Sequence, residues 1–169
     1  MTIVGIDPGL TGAVTFLDPE SLKIEIVDMP VHTLTRGGKT KRSLDLAGLV
    51  TLLDPARLIS HAWVELAAAM PHQGVAGVFS FGQSFGAILG ILAAYKIPVS
   101  VVAPAVWKRA LHVAKSKDAA RARASQLLPK AAGNWPLKKH DGRAESALLA
   151  VYGARELNAM PAGSAPKRH

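Results

Sequence analysis

The chain has 169 residues, 49% of them hydrophobic and 19% charged, which suits one globular domain with its own core and leaves two domains cramped. It contains no cysteine, which excludes disulfides, thiolate metal sites and cysteine nucleophiles. A formal net charge of +8, from 20 Lys and Arg against 12 Asp and Glu, points to a polyanionic partner such as nucleic acid or an anionic membrane surface.

Thr2 to Asp7 (TIVGID) is an apolar, β-branched run that ends in a lone carboxylate and a Pro8-Gly9 turn, so it reads as a buried strand presenting Asp7 at its carboxyl end. An Asx-type turn with Pro8 and Gly9 explains Asp7 equally well in isolation. No signal peptide is expected, because Met1 leads straight into this strand without a basic region. Gly12 to Leu17 and Lys23 to Val27 read as two more strands, and the Asp18-Pro19-Glu20-Ser21 connector makes the three an antiparallel meander. Val31 to Arg42 is polar, basic and glycine-containing. It reads as a mobile loop whose Arg36, Lys39, Lys41 and Arg42 either meet phosphates or simply solvate an exposed segment. Ser43 is the expected N-cap of a helix through Leu53 with a leucine stripe. Ala62 to Leu66 (AWVEL) is the next strand, and Glu65 is its only charged residue. So isolated a carboxylate in an apolar stretch requires a cation, a hydrogen-bond donor or a metal beside it.

A loop from Ala67 to Ala76 leads to a helix from about Gly77 to Lys96, in which Val78, Phe81, Phe85, Ile88 and Leu92 mark a core face. Gly82, Gly86 and Gly90 recur along one side. Each costs about 1 kcal/mol relative to alanine in a helix interior, so close approach of the sheet or of a second subunit is the expected compensation. The uncharged stretch Gly77 to Tyr95 is long enough to span a bilayer. Ser80, Gln83 and Ser84 interrupt it, and it reads as a core helix with no membrane partner. Pro98 to Val102 is a fifth strand, and Pro104 opens a short helix containing Trp107, Lys108 and Arg109. Trp107 reads as a packing residue. Beyond Lys115, Ser116 caps a helix from Lys117 to Leu128 that carries Arg121 and Arg123 on its polar side. A loop from Lys130 to Lys139 contains Trp135, and a last helix runs from His140 or Asp141 to Leu157. Residues 158–169 read as a disordered basic tail, which leaves one domain over residues 1–157. A meander followed by β-α-β crossovers implies an α/β fold built on a mixed sheet with helices on both faces.

The last helix opens with Lys138-Lys139-His140-Asp141-Gly142-Arg143-Ala144-Glu145. Asp141 and Glu145 share one face a turn apart, and two like charges at that spacing repel. The helix N-terminal dipole offsets the repulsion in part, and a divalent cation would do so better. Together, GIDPGLTGAV in the first strand, WVE and the following AMPHQGV, FSFGQSFG, IPVSVVAPAVWKRAL and KKHDGRAESALLAVYG resemble the RuvC-like Holliday-junction resolvases, especially those of phages and prophages. The resemblance runs in the family's order from Thr2 to about Gly153. GIDPG alone also occurs in actin-like and sugar-kinase folds, but those need a duplicated, much longer chain.

The resemblance implies an RNase H-like fold with a five-stranded mixed sheet, a homodimer, a cytoplasmic location in a bacterium or infected host, and two Mg²⁺ ions, replaceable by Mn²⁺. It implies that Asp7, Glu65, Asp141 and Glu145 hold those ions. Asp141 departs from the pattern, since many members place that acid three residues before the last, which here is Gly142. Lys138, Lys139 or His140 then stabilises charge on the phosphate or delivers a proton, unless this basic triplet is simply a surface cluster that contacts phosphate. Branched DNA, above all the four-way junction, is the implied substrate, gripped by Arg36, Lys39, Lys41, Arg42, Lys108, Arg109, Lys115, Lys117 and Arg121. His72 and Gln73 fall near the branch point, and an aromatic beside them, Phe79 or Phe81, has the chemistry to stack on a base. For Phe81 and Phe85 the helical spacing favours core packing. Cutting of forks and flaps, and binding of branched DNA without cleavage, are the competing readings.

Overall fold

A five-stranded sheet in the order β3-β2-β1-β6-β7 organises the chain in a computed structural model that describes residues 1–66, 74–116 and 118–159. Its strands are β1 (Thr2–Ile6), β2 (Ala13–Leu17), β3 (Ile24–Asp28), β6 (Ile59–Glu65) and β7 (Val99–Val102). The first three form the expected antiparallel meander. β6 joins β1 in parallel, and β7 joins β6 in parallel. A second, two-stranded ribbon pairs β4 (Val31–Arg36) with β5 (Lys39–Leu44). The helices are α1 (Leu46–Leu52), α2 (Val75–Ala94), α3 (Pro104–Ala110), α4 (Ala119–Leu127) and α5 (Asp141–Ala159). The sheet is mixed and covered on both faces, which is the architecture of an RNase H-like α/β fold.

Alternation along the strands sends successive side chains to opposite faces and so divides the core in two. On one face Ile3, Leu17 and Trp63 pack with Trp107 of α3, Ala124 of α4, Trp135 and the apolar side of α5. On the other, Val4, Ile6, Val14 and Val64 pack with Leu49 and Leu52 of α1 and Ile88 and Leu92 of α2, with Phe85 against the edge. Ile88, Leu92 and Phe85 thus occupy the core face expected of α2, whereas Phe79 is 66% exposed.

The contact between α5 and β1 is unusually close because glycine forms one side of it. A Cβ on Gly5 would lie 2.1 Å from the Ser146 carbonyl oxygen and 2.5 Å from the Ala150 nitrogen. Beside it the buried Thr15 and Ser146 hydroxyls share a hydrogen bond of 2.7 Å. The Arg143 guanidinium closes the start of the helix onto the end of β3, donating to both Asp28 carboxylate oxygens at 2.6 Å.

Several local expectations need correction. Val31 to Arg42 is not a loop. Gly37 and Gly38 have φ of +57° and +72°, the left-handed pair that a two-residue hairpin turn requires, and the Arg36–Lys39 and Thr35–Thr40 pairs follow on either side. Glycine and charge read as loop because the segment has no apolar face. Ser43 lies in β5 and does not cap a helix; the Asp45 carboxylate caps α1, accepting from the Gly48 N–H at 3.0 Å. α4 begins at Ala119 instead of Lys117, and Lys130 to Lys139 contains two short 3-10 turns. α5 continues to Ala159, two residues past the expected end of the domain.

Gly5→Ala is expected to destabilise the protein by about 3 kcal/mol or more, since backbone and not a flexible side chain opposes the added carbon. Urea unfolding measures this, and wild-type stability in the variant would show that α5 does not approach β1 so closely.

Candidate active site

β1 and β6 run parallel, with Ile6 paired to Val64. The next residue on each is an acid, so Asp7 and Glu65 emerge side by side at the carboxyl ends of neighbouring central strands, where open α/β sheets bind their ligands. Asp7 is held by its own turn: its N–H donates to the Ala13 carbonyl at 3.0 Å, and its Oδ1 accepts from the Gly9 N–H at 3.2 Å. The Asx-type turn and the presentation of a carboxylate are therefore the same structure.

Two neighbours on α3 serve the acids. Trp107, fully buried, donates its indole Nε1–H to Glu65 Oε2 at 2.8 Å. Lys108 Nζ donates to Glu145 Oε1 at 2.7 Å and lies 5.1 Å from the centre of the Trp107 ring. Glu145 reaches this place because α5 rests on β1. Burial lifts the Asp7 carboxyl to about 6, against the Gly9 hydrogen bond and with help from the Glu145 charge. Burial, followed by the Glu145 charge, lifts Glu65 to about 7, with Trp107 opposing and Asp7 adding to the rise. Burial disfavours the Lys108 ammonium, but the Glu145 hydrogen bond and the charges of Glu145, Glu65 and Asp7 together raise its pKa. The result is a site short of positive charge, in which one lysine partly balances three acids.

Asp141 is engaged elsewhere. Its Oδ1 accepts from Arg121 Nε at 2.7 Å, and the same guanidinium also pairs with Asp118. The first-turn position facing Asp7 is Gly142, where a Cβ would lie 3.0 Å from Asp7 Oδ2 and 2.5 Å from the Thr11 carbonyl oxygen. Helix geometry explains the difference: on α5, position 142 points down at the Asp7 turn, and position 141 points toward α4. Among the described residues no three acidic or histidine side chains stand close enough, as arranged, to enclose a metal ion. Gly9, Trp107 and Lys108 each hold one carboxylate.

The remaining sequence-predicted residues fall into distinct groups. Lys139 is exposed and His140 half-buried on the 3-10 turn before α5. His140 Nδ1 accepts from the Leu137 N–H at 3.3 Å. Burial, then the charges of Arg143 and Lys139, hold the ring below its usual range. Arg36, Lys41, Arg109 and Lys115 are exposed, and Lys39 lies opposite Arg36 in the ribbon. Arg42 donates to the Leu10 carbonyl at 2.7 Å, in the turn that follows Asp7. Lys108 and Arg121, expected on phosphates, instead pair with Glu145 and Asp141. His72, Gln73 and Lys117 lie outside the described residues. Sequence reasoning missed the roles of Trp107 and Gly142. The signal for Trp107 was adjacency to Lys108, and for Gly142 that it stands where many members of the resembled family place an acid.

Fold and site together define an RNase H-like domain with an acidic sheet end. Among solved structures, the chain is similar to T. thermophilus RuvC in complex with a Holliday junction substrate, with TM-score 0.62 and 16% identity over 94% of this chain and 96% of that one. It is likewise similar to Thermus thermophilus RuvC, with TM-score 0.56 and 20% identity over 95% and 99%. No family model matches the sequence, and no curated protein does.

The raised carboxyls set a stability dependence on pH. Their folded pKa values of about 6 and about 7 lie above the ordinary 3.8 and 4.5, so the folded state keeps protons that the unfolded chain has released. The stability they contribute is therefore full below about pH 4 and lost as pH rises to about 7. Asp7→Asn keeps an acceptor for Gly9 and removes the buried charge. In EDTA it should match the parent near pH 4 and exceed it by about 1–3 kcal/mol at pH 7.5. Urea melts at the two pH values measure the difference, and a pH-independent gap would contradict burial of Asp7.

Proposed function

We propose that this protein is a divalent-metal-dependent endonuclease of branched DNA, with the four-way junction as its main substrate. The observation that carries the reading is the meeting of Asp7, Glu65 and Glu145 at the carboxyl end of the sheet, in a chain that shares the fold of RuvC over nearly all of both lengths.

The donor set fits a hard cation. It offers carboxylate oxygens, excess negative charge and no sulfur. Asp7, Glu65 and Glu145 would hold Mg²⁺ or Mn²⁺, and Asp141, directed toward α4, would have to leave Arg121 and turn toward Asp7 to help hold a second ion. Bound there, such ions polarise a phosphodiester and lower the pKa of water. The chain's own groups supply the rest. Without a cation Glu65, with a carboxyl near 7 and one oxygen held by Trp107, retains a proton near neutral pH, which cation binding would displace. Lys108 keeps a cation at the acids. Lys139 and His140 stand at the mouth of α5 to meet charge on the phosphate or pass a proton. Arg36, Lys39, Lys41, Arg109, Lys115 and Lys117 suit backbone phosphates, which position a branch without reading sequence. His72, Gln73 and the exposed Phe79 are assigned to the branch point.

Function as a homodimer is part of the proposal. Only 17% of the Gly77–Ala94 stretch of α2 is buried, and among the described residues no atom beyond the helix lies within 4 Å of where a Cβ on Gly82, Gly86 or Gly90 would sit. A second α2 would cover that apolar, small-residue face. By length and composition alone α2 would also cross a membrane, but the face carrying Ile88 and Leu92 already belongs to the sheet's core. Gly86→Leu is expected to leave the fold intact and lower the dimer fraction in light-scattering chromatography. An unchanged dimer would remove this face as the interface.

A synthetic immobile junction incubated with Mg²⁺ and resolved on a denaturing gel should show paired, symmetric nicks near the crossover. Asp7→Asn should reduce cutting more than about a hundredfold, since even a residue that merely supports a ligand is worth about 10–100-fold in such sites, while junction binding persists. Binding without nicking by the wild type would leave a non-catalytic binder, the reading favoured by the in-chain donors now on the acids. Equal cutting of forks and flaps would keep the chemistry and broaden the substrate.

A further inference from the structure

The β4–β5 ribbon has features that phosphate contact at a surface does not explain. Between Val31 and Leu44 it carries Arg36, Lys39, Lys41 and Arg42 and no acid. Thr33, Leu34 and Thr35 on one strand and Thr40, Lys41 and Arg42 on the other are all exposed, and Leu34 is 64% exposed. A lone two-stranded ribbon with no buried face is marginal in water. Among the described residues it is fastened near its base, where Leu44 packs against the α1–α2 core, His32 Nε2 lies 3.1 Å from Asp45 Oδ1, the Asp45 N–H donates to the Pro30 carbonyl at 2.9 Å and Arg42 donates to the Leu10 carbonyl at 2.7 Å. The rest projects.

Its two faces differ. Strand alternation puts His32, Leu34 and Arg36 on one side, and the register Leu34 to Lys41 and His32 to Ser43 adds Lys41 and Ser43 to that side. The other side presents Thr33, Thr35, Thr40 and Arg42, with the Thr35 and Thr40 hydroxyls 3.4 Å apart. One side thus carries cations and an exposed apolar residue. The other is neutral apart from the arginine that ties the ribbon to the Asp7 turn.

We propose that the ribbon inserts into the major groove of one duplex arm of the DNA, with the Leu34, Arg36 and Lys41 face against the base edges and groove wall. The major groove, about 12 Å wide, admits a two-stranded ribbon, and the minor groove, about 6 Å wide, does not. Six-residue strands extend roughly 20 Å, more than the groove's depth of about 8.5 Å. Arg36 next to the turn has the donors for guanine N7 and O6, Leu34 offers apolar contact to a thymine methyl, and Lys41 one pair back meets phosphate. The major groove of duplex RNA is too narrow for this, so the ribbon favours DNA over RNA duplexes. Because Arg42 fastens the ribbon beside Asp7, groove entry also sets which phosphate of the arm faces the carboxylates. The inference rests on the DNA-binding part of the proposed function and not on cleavage.

Dimethyl sulfate footprinting of a four-way junction in EDTA, where no cutting occurs, tests it. Wild-type protein should protect guanine N7 in each arm that a ribbon enters. The triple variant Leu34→Ser, Arg36→Ala, Lys41→Ser should lose that protection, keep the wild-type thermal melt, and bind with a log–log salt slope smaller by about 1–2. Junction binding without N7 protection, protection at adenine N3 instead, or protection that survives in the variant would overturn groove insertion and leave the nuclease reading standing. Failure of the wild type to bind any junction would overturn both, and is read directly from the same titration.

Discussion

The acidic end of this molecule depends on how closely α5 can lie on β1. Gly5 lets the helix backbone meet the strand, Gly142 lets its first turn meet the Asp7 loop, and the Thr15–Ser146 hydrogen bond satisfies the polar atoms buried between them. An alanine at either glycine would hold the helix off the sheet. Glu145 would then leave the field of Asp7 and Glu65, because its position is set by a rigid helix and not by its own flexibility.

Crowding these acids has an electrostatic consequence that the fold only partly relieves. Burying carboxylates among other carboxylates favours their neutral forms. The chain answers with a backbone N–H at Asp7, an indole at Glu65 and an ammonium at Glu145. Two carboxyls nonetheless remain raised to about 6 and about 7. Structural ion pairs on this protein behave differently: Asp28, bound by both arms of Arg143, is held below the ordinary carboxyl range. Perturbation upward at one end of the sheet and downward elsewhere sets the sheet end apart as the candidate site.

Much of the fold was legible in the sequence. The β-branched run to Asp7, the alternation in β2, the glycine-interrupted helix and the Pro104 helix start are local signals, and the five-stranded mixed sheet follows from their order. The ribbon was not legible, since Gly37-Gly38 between polar, charged strands has the composition of a loop and no apolar alternation to reveal pairing. The start of α1 was misplaced for a related reason: Ser43 and Asp45 are both good caps, and only the ribbon's register shows that Ser43 is already used in a strand.

By itself the sequence determines where the acids fall on their elements: Asp7 and Glu65 at strand ends, Asp141 and Glu145 a turn apart at a helix start. Tertiary structure alone decided which donor each acid meets. Glu65 takes Trp107 from 42 residues away, Glu145 takes Lys108 from 37, and Asp141 takes Arg121 from 20. Spacing along a helix or strand fixes direction over one or two turns, but partners at such separations are chosen by packing. Here the seating of α3, α4 and α5 on one face of the sheet draws Glu145 toward the central strands and turns Asp141 to Arg121 on α4.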